Sequence, residues 1–315
     1  MKIVLHNLQE ILVITICAVL ANNDNFEDIV LWARAKQAWL RTFLTLKNGI
    51  PAEDTFLRIF RLLDPSELEV VFRQWVCEIL PALDNMIAID GKTSRGSGCA
   101  GEQAIHRVSA FATQSGLVLG QEKTCEKSNE ITAIPTLRKT MDLKGTLISM
   151  DAMGCQKDIA ALIRERQGDY LLAVKANQPS LLAAINPAFM DSQPLEPSFG
   201  AVDRTHGRTV IQNTRVLPAQ NVVNLEHWPD CKVIAAIDSY RKIRDEEPQW
   251  ERRDYVSSQA LLAEQLAVAV KSHWGIENRL HWVLDVVFRE DASTLRKQNA
   301  PQNLSLIRKI AINLT

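Results

Sequence analysis

The sequence predicts an α/β protein in which an all-helical N-terminal unit precedes a mixed five-stranded sheet with helices. Three observations predict it. Residues 1–80 carry apolar side chains at helical spacing, with little β-branched alternation. From Pro81 onward short apolar runs take over, at 86–90, 105–113, 117–123, 146–151 and 170–175. The first three follow one another closely, whereas helical patterns at 128–141 and 156–167 separate the later ones.

Each element has a local cause. The apolar stretch 11–21 resembles the core of a signal peptide, but the residues before it, with Lys2 and Glu10, make no positive leader. Phe26, Ile29, Val30, Leu31 and Trp32 continue its pattern as a second helix, so the stretch reads as a buried helix. Pro51 with Asp54 and Thr55, and Pro65-Ser66-Glu67, are helix starts. Thr113-Gln114-Ser115-Gly116 is a turn between the second and third strands.

Short links make antiparallel hairpins, and helical crossovers make parallel neighbours. Three strands, helix, strand, helix, strand is the topology of the ribonuclease H fold, with the first and fourth strands side by side. From about 179 to 250, prolines punctuate short β-like runs such as 208–217 and 232–238, which read as a β-rich insertion. Residues 252–257 read as one more strand. Ser257 and Ser258 then read as caps for a long helical segment from Leu261 to Val287. The expected division is a helical domain, 1–80, and a sheet domain with its insertion, 81–315.

Composition narrows the function classes. The 315 residues are 46% hydrophobic and 23% charged, with 36 Lys+Arg against 37 Asp+Glu, which excludes a disordered chain. No run approaches the length of a membrane span. Six scattered cysteines without a Cys-x-x-Cys pair point to a reducing cytoplasm and to neither a zinc ribbon nor a disulfide framework. Phosphate-binding glycine loops are absent, which argues against a kinase or ATPase with a similar sheet.

Two strands end in aspartate, Asp90 and Asp151, and these are the first and fourth strands. Carboxylates held that close repel unless a divalent cation lies between them. Glu277, among Trp274, Asn278, His281 and Trp282, is the best third candidate, because a glutamate between bulky side chains costs stability without a partner. Such a trio suits the paired-ion chemistry of phosphodiester cleavage. Asp238 ends an apolar run in the same way but falls within the insertion. His273, Glu277 and His281 form one helical stripe, also a conceivable zinc spacing, though a long one for a single ion. A role for the histidines in positioning the glutamate or DNA fits better.

Several multi-residue motifs resemble one family. Asp90-Gly91-Lys92-Thr93, the stretch from Glu126 to Pro135, Asp151-Ala152-Met153-Gly154-Cys155-Gln156, and His273-Trp274-Gly275-Ile276-Glu277-Asn278 with Leu280-His281-Trp282 behind it are similar to the H-repeat-associated, DDE-type insertion-sequence transposases of bacteria. The resemblance runs over nearly the whole chain, which looks shortened at both ends against that family. It implies a ribonuclease H-like core and Mg²⁺-dependent cleavage and joining of double-stranded DNA, with Mn²⁺ as a substitute. It also implies a catalytic and metal-binding triad of Asp90, Asp151 and Glu277, and a homo-oligomer acting in the cytoplasm at the nucleoid. The expected DNA contacts are Lys92, Arg95, Lys175, Asn177, Arg208, His273, Trp274 and Asn278. The alternative is a catalytically silent, DNA-binding remnant of such an enzyme. Basic residues exceed acidic ones in 91–145 and 271–315, a weak sign of a cationic rim.

Overall fold

A computed structural model describes residues 5–79, 85–94, 105–124, 143–191, 198–205, 208–222, 227–243 and 246–315. The helix expected at 128–141, Arg95 and the His206-Gly207 turn lie outside the described residues. The N-terminal region is helical: α1 (Leu8–Leu20), α2 (Phe26–Ala35), α3 (Gln37–Leu40), α4 (Glu53–Leu62) and α5 (Pro65–Ile79). Asn7 and Asn25 cap α1 and α2 by accepting from the backbone N–H groups of Gln9 and Asp28. Within α1, Ile11, Ile14 and Ala18 are fully buried.

The strands are β1 (Met86–Ser94), β2 (Ile105–Ala112), β3 (Val118–Thr124), β4 (Leu147–Met150), β5 (Asp169–Val174), β6 (Phe199–Thr205), β7 (Arg208–Pro218), β8 (Val233–Ile243) and β9 (Gln249–Ser257). They interleave with α6 (Lys157–Glu165) and α7 (Pro179–Asp191), and are followed by α8 (Ala263–His273) and α9 (Ala300–Asn313). β1 lies between β2, antiparallel, and β4, parallel, and β4 pairs in parallel with β5. The first and fourth strands are therefore neighbours, as their connections require.

The expectation of a five-stranded sheet with a separate insertion is corrected. One sheet runs through nine strands in the order β3-β2-β1-β4-β5-β9-β8-β7-β6. β9 returns antiparallel along β5, pairing Leu171 with Ser257 and Val174 with Asp254, and so covers what would be an open edge. The segment 179–191 is a helix, not a β-like run. Pro179 sits in its first turn, where no N–H is needed, and Leu181, Ile185 and Phe189 bury one face despite Pro187. Nor do Ser257 and Ser258 cap α8. Their hydroxyls donate to the Tyr170 carbonyl and the Asp169 carboxylate, both at 2.7 Å, and lock β9 to β5.

Alternation along each strand divides the core in two. Met86, Leu147, Leu171, Ala235 and Tyr255 point to the face covered by Leu266 and Val270 of α8. Ile87, Ile148, Leu172 and Ile234 point to the opposite face, in one cluster with α6, α7, α9 and the N-terminal helices. Phe26, Phe56 and Phe60 stack within that cluster, and Asn303 of α9 donates to the free carbonyls of Phe60 and Leu63. The Asn313 side chain bonds the Val118 backbone in both directions, tying α9 to the edge strand β3.

Candidate active site

The two-residue period of the strands places the chemistry. Asp90 and Asp151 follow Ile89 and Met150, the last Cα partners of the parallel β1–β4 pair. Asp90 shares a face with Met86, and Asp151 shares it with Leu147 and Ser149. That is the face covered by α8, whose chain continues past the end of β4. His273 at its C-terminus meets the Ser149 hydroxyl at 2.9 Å. The chain then winds into two successive π-helical turns, Glu277–His281 and Val283–Val287. Such turns recur at functional sites because they re-aim side chains within a helix. Here Glu277 and His281 face Asp90.

Asp90 and Glu277 border a cavity of about 310 Å³, lined also by Asp151, Lys175, Arg253, His273 and Trp274. All three carboxylates expected to act together therefore meet in one pocket, supplied by β1, by the turn after β4 and by the π-turn. His281 Nδ1 stands 3.3 Å from Glu277 Oε2 and 3.6 Å from Asp90 Oδ2. One ligand atom from each of Asp90, Glu277 and His281 falls within 4.8 Å of the others. Asp151 is not part of that compact set. Its Oδ1 accepts from the backbone N–H groups of Met153 and Gly154, at 2.9 and 3.3 Å. A side chain on Gly154 would bring its Cβ within 2.8 Å of Met150 Cβ, so glycine lets this turn close on β4.

The electrostatics fit a cation. Burial, then the Glu277 and Asp151 charges, push the Asp90 carboxyl up to about 8. The Glu277 carboxyl is held below its ordinary value, chiefly by the hydrogen bond from His281. The two shifts describe one proton residing on the more buried acid, Asp90. Burial lowers His273 and favours its neutral imidazole. Oxygen donors that retain a proton for want of positive charge, beside an imidazole, are a suitable donor set for a divalent ion.

The other expected contacts divide. Lys175 is exposed on the cavity rim, beside Trp274, whose ring carries the Arg253 guanidinium at 4.8 Å. Asn278 is exposed and donates to the Trp274 carbonyl at 3.3 Å. Asn177 donates to the Ala152 carbonyl at 2.6 Å and Gln178 to the Cys155 carbonyl at 2.8 Å, so both brace the turn that carries Asp151. Arg208 lies opposite Ile243 at the far end of β7 and does not line the cavity.

Lys92 does not line the cavity and is held in ion pairs. Its ammonium is bound by Asp285 at 2.7 Å, Asp291 at 3.1 Å and Glu290 at 3.6 Å, because the second π-turn and the segment after it pack over β1. Asp238 pairs with Arg215 at 2.7 Å, away from the site. Sequence reasoning missed Arg253 and Ser149. The alternation of 252–257 was the available signal for Arg253, since it sets that residue on the face of Tyr255. No local signal marks Ser149.

The fold and the site define an α/β chain that gathers carboxylates from two neighbouring parallel strands and a helical turn at one end of its sheet, an arrangement able to hold a divalent cation. The chain belongs to the DDE transposases: residues 81–314 match the family described as Transposase DDE domain, and residues 2–76 match the DDE_Tnp_1-associated family. It is 42% identical to "Putative transposase YncI" of Escherichia coli O157:H7, over 98% of this chain and 82% of that protein. It is 41% identical to "H repeat-associated putative transposase YhhI" of Escherichia coli strain K12, over 98% of this chain and 85% of that protein. Among solved structures, a piggyBac transposase synaptic complex with hairpin DNA aligns at a TM-score of 0.47 and 12% identity, over 98% of this chain and 66% of that one. No helix among the described residues is long and apolar enough to cross a membrane.

Proposed function

We propose that this chain is a metal-dependent DNA transposase that cleaves the ends of an insertion element and joins them to target DNA. The single observation that carries this reading is the meeting of Asp90, Asp151 and Glu277, from three separate elements, in one cavity. Asp90, Asp151 and Glu277 would together hold the metal. A divalent cation bound there supplies a Lewis acid for the phosphodiester oxygens.

The side chains around it do the rest. Lys175 and Arg253 on the rim neutralise phosphates flanking the scissile bond, and Trp274 offers a flat apolar surface beside them. Water attacks the phosphorus in line, breaks the P–O3′ bond and leaves a 3′-hydroxyl. That hydroxyl then attacks a target phosphodiester and displaces a second 3′-oxygen, so each step conserves one ester bond or hydrolyses one. Asn177 and Gln178 keep the Asp151 turn in place throughout. The order and directions of β1 to β5 support a ribonuclease H-like core for this chemistry. The meeting of the two family matches near residue 80 supports a helical domain over 1–80 and a catalytic domain over 81–315. Homo-oligomeric action on double-stranded DNA in the cytoplasm belongs to the same reading.

The test is nicking of DNA that carries the flanking element ends, with Mg²⁺ or Mn²⁺. Asp90→Ala, Asp151→Ala and Glu277→Ala are each expected to lower it by roughly 1,000-fold. Wild-type protein that binds this DNA but never nicks it would establish the alternative, a silent DNA-binding remnant.

A further inference from the structure

We propose that His281 is a ligand of the metal ion, so that the first ion is held by two carboxylates and one imidazole nitrogen, Asp90, Glu277 and His281. This rests on the metal-dependent reading above and goes beyond the acidic triad. The ring is 5% exposed, and its Nδ1 is directed at the two carboxylate oxygens at 3.3 and 3.6 Å. Two donor atoms bound at right angles to one small ion stand about 3 Å apart. The observed separations exceed that by a few tenths of an ångström, which side-chain torsions can close.

The other ring nitrogen makes no contact that competes for the ring. Nε2 is buried and has no hydrogen-bond partner. No second hydrogen bond therefore orients the ring, and the two acids are what its polar edge meets. A histidine retained for packing alone would bury a polar edge for little return. The π-turn is what allows this: it sets Glu277 and His281 on the side of Asp90, while Asp151 remains tied to the backbone of its own turn.

A nitrogen donor changes which ions the site prefers. Imidazole suits borderline metals better than magnesium, whereas carboxylates accept both. The site is therefore expected to bind Mn²⁺ more tightly than Mg²⁺, and to lose that preference when the ring is replaced.

The experiment loads the full chain with Mn²⁺ alone and records electron spin-echo envelope modulation. A ¹⁴N coupling in the wild type that disappears in His281→Gln and persists in His273→Gln is the expected result. Mn²⁺ affinity should fall by about tenfold or more in His281→Gln, and a second variant, His281→Asn, guards against a folding defect in the first. Bound Mn²⁺ without ¹⁴N coupling in the wild type, or with a coupling that survives both His281 variants, overturns the assignment. If that Mn²⁺ is nonetheless lost in Asp90→Ala and Glu277→Ala, the acidic site stands and His281 alone is removed from it. Absence of any saturable Mn²⁺ binding by the wild type overturns both readings.

Discussion

The side-chain amide of Asn177 donates to the carbonyl of Ala152 at 2.6 Å, so the turn after β5 holds the turn that presents Asp151. Gln178 repeats the device one residue later, on the Cys155 carbonyl. Two parallel strands thus deliver a carboxylate from one turn and its support from the next. Asn177→Ala is expected to cost about 1 kcal/mol of stability, the ordinary worth of one such bond. Its nicking rate should fall by roughly tenfold, because a displaced carboxylate loses alignment with Asp90. Thermal melts beside single-turnover rates check this, and equal small effects on both would show that Asn177 does not position Asp151.

Asp90 is expected to make the metal-free protein sensitive to alkali. Its folded value, about 8, lies above the ordinary value of 3.8, so the folded state holds a proton that the unfolded state has released. The stabilising contribution is full below about 3.8, falls as pH rises above that value and is lost as pH passes about 8. Asp90→Asn should flatten that decline and raise stability at pH 8 by ~1–3 kcal/mol, while abolishing nicking. Melts in chelator between pH 5 and 9 read the slope. Identical slopes for wild type and variant would refute the shift.

Glu290 ties the sheet to the last helix. It is 3% exposed, and its carboxylate faces Arg107 at 3.1 Å, Lys92 at 3.6 Å and Arg308 at 4.0 Å. Burial alone would raise its carboxyl, but Arg107, Arg308, Lys309 and Lys92 together hold it well below the usual range. Glu290→Gln leaves those cations without their counter-charge and should cost roughly 3–5 kcal/mol. A denaturant titration measures it, and a loss under 1 kcal/mol would show that the cations find other partners.

The rim should carry the salt dependence of DNA binding. Replacing Arg253 or Lys175 by alanine is expected to weaken binding to any DNA sequence and to reduce the salt slope by about one. Arg208→Ala, at the far end of β7, serves as the comparison. Fluorescence titrations between 50 and 200 mM salt would decide, and equal slopes for Arg253→Ala and Arg208→Ala would place the DNA elsewhere.

Much of this arrangement is legible without coordinates. The runs ending in Asp90 and Asp151 alternate between apolar and polar sides, and the order of helices and strands makes them neighbours. The i, i+4 stripe of Glu277 and His281 was visible as well. Other features were not. Lys92 reads as a free cation beside a catalytic acid, yet Asp285, Glu290 and Asp291, nearly two hundred residues later, occupy it. The prolines at 179 and 187 suggested broken β structure, because a proline's tolerance in a helix depends on what the other face of that helix buries.

The sequence by itself determined the strand order of β1 to β5, the helical N-terminal region and which acids come to line one cavity, since short-range periodicity and connection length govern these. Only the tertiary structure decided that β9 joins β5 to make nine strands, that a π-turn swings His281 onto Asp90, and that Lys92 is spent on ion pairs. Those outcomes depend on edges and charges far apart in the chain, which no local pattern records. Packing settles them by pairing most buried charges and polar groups across the fold.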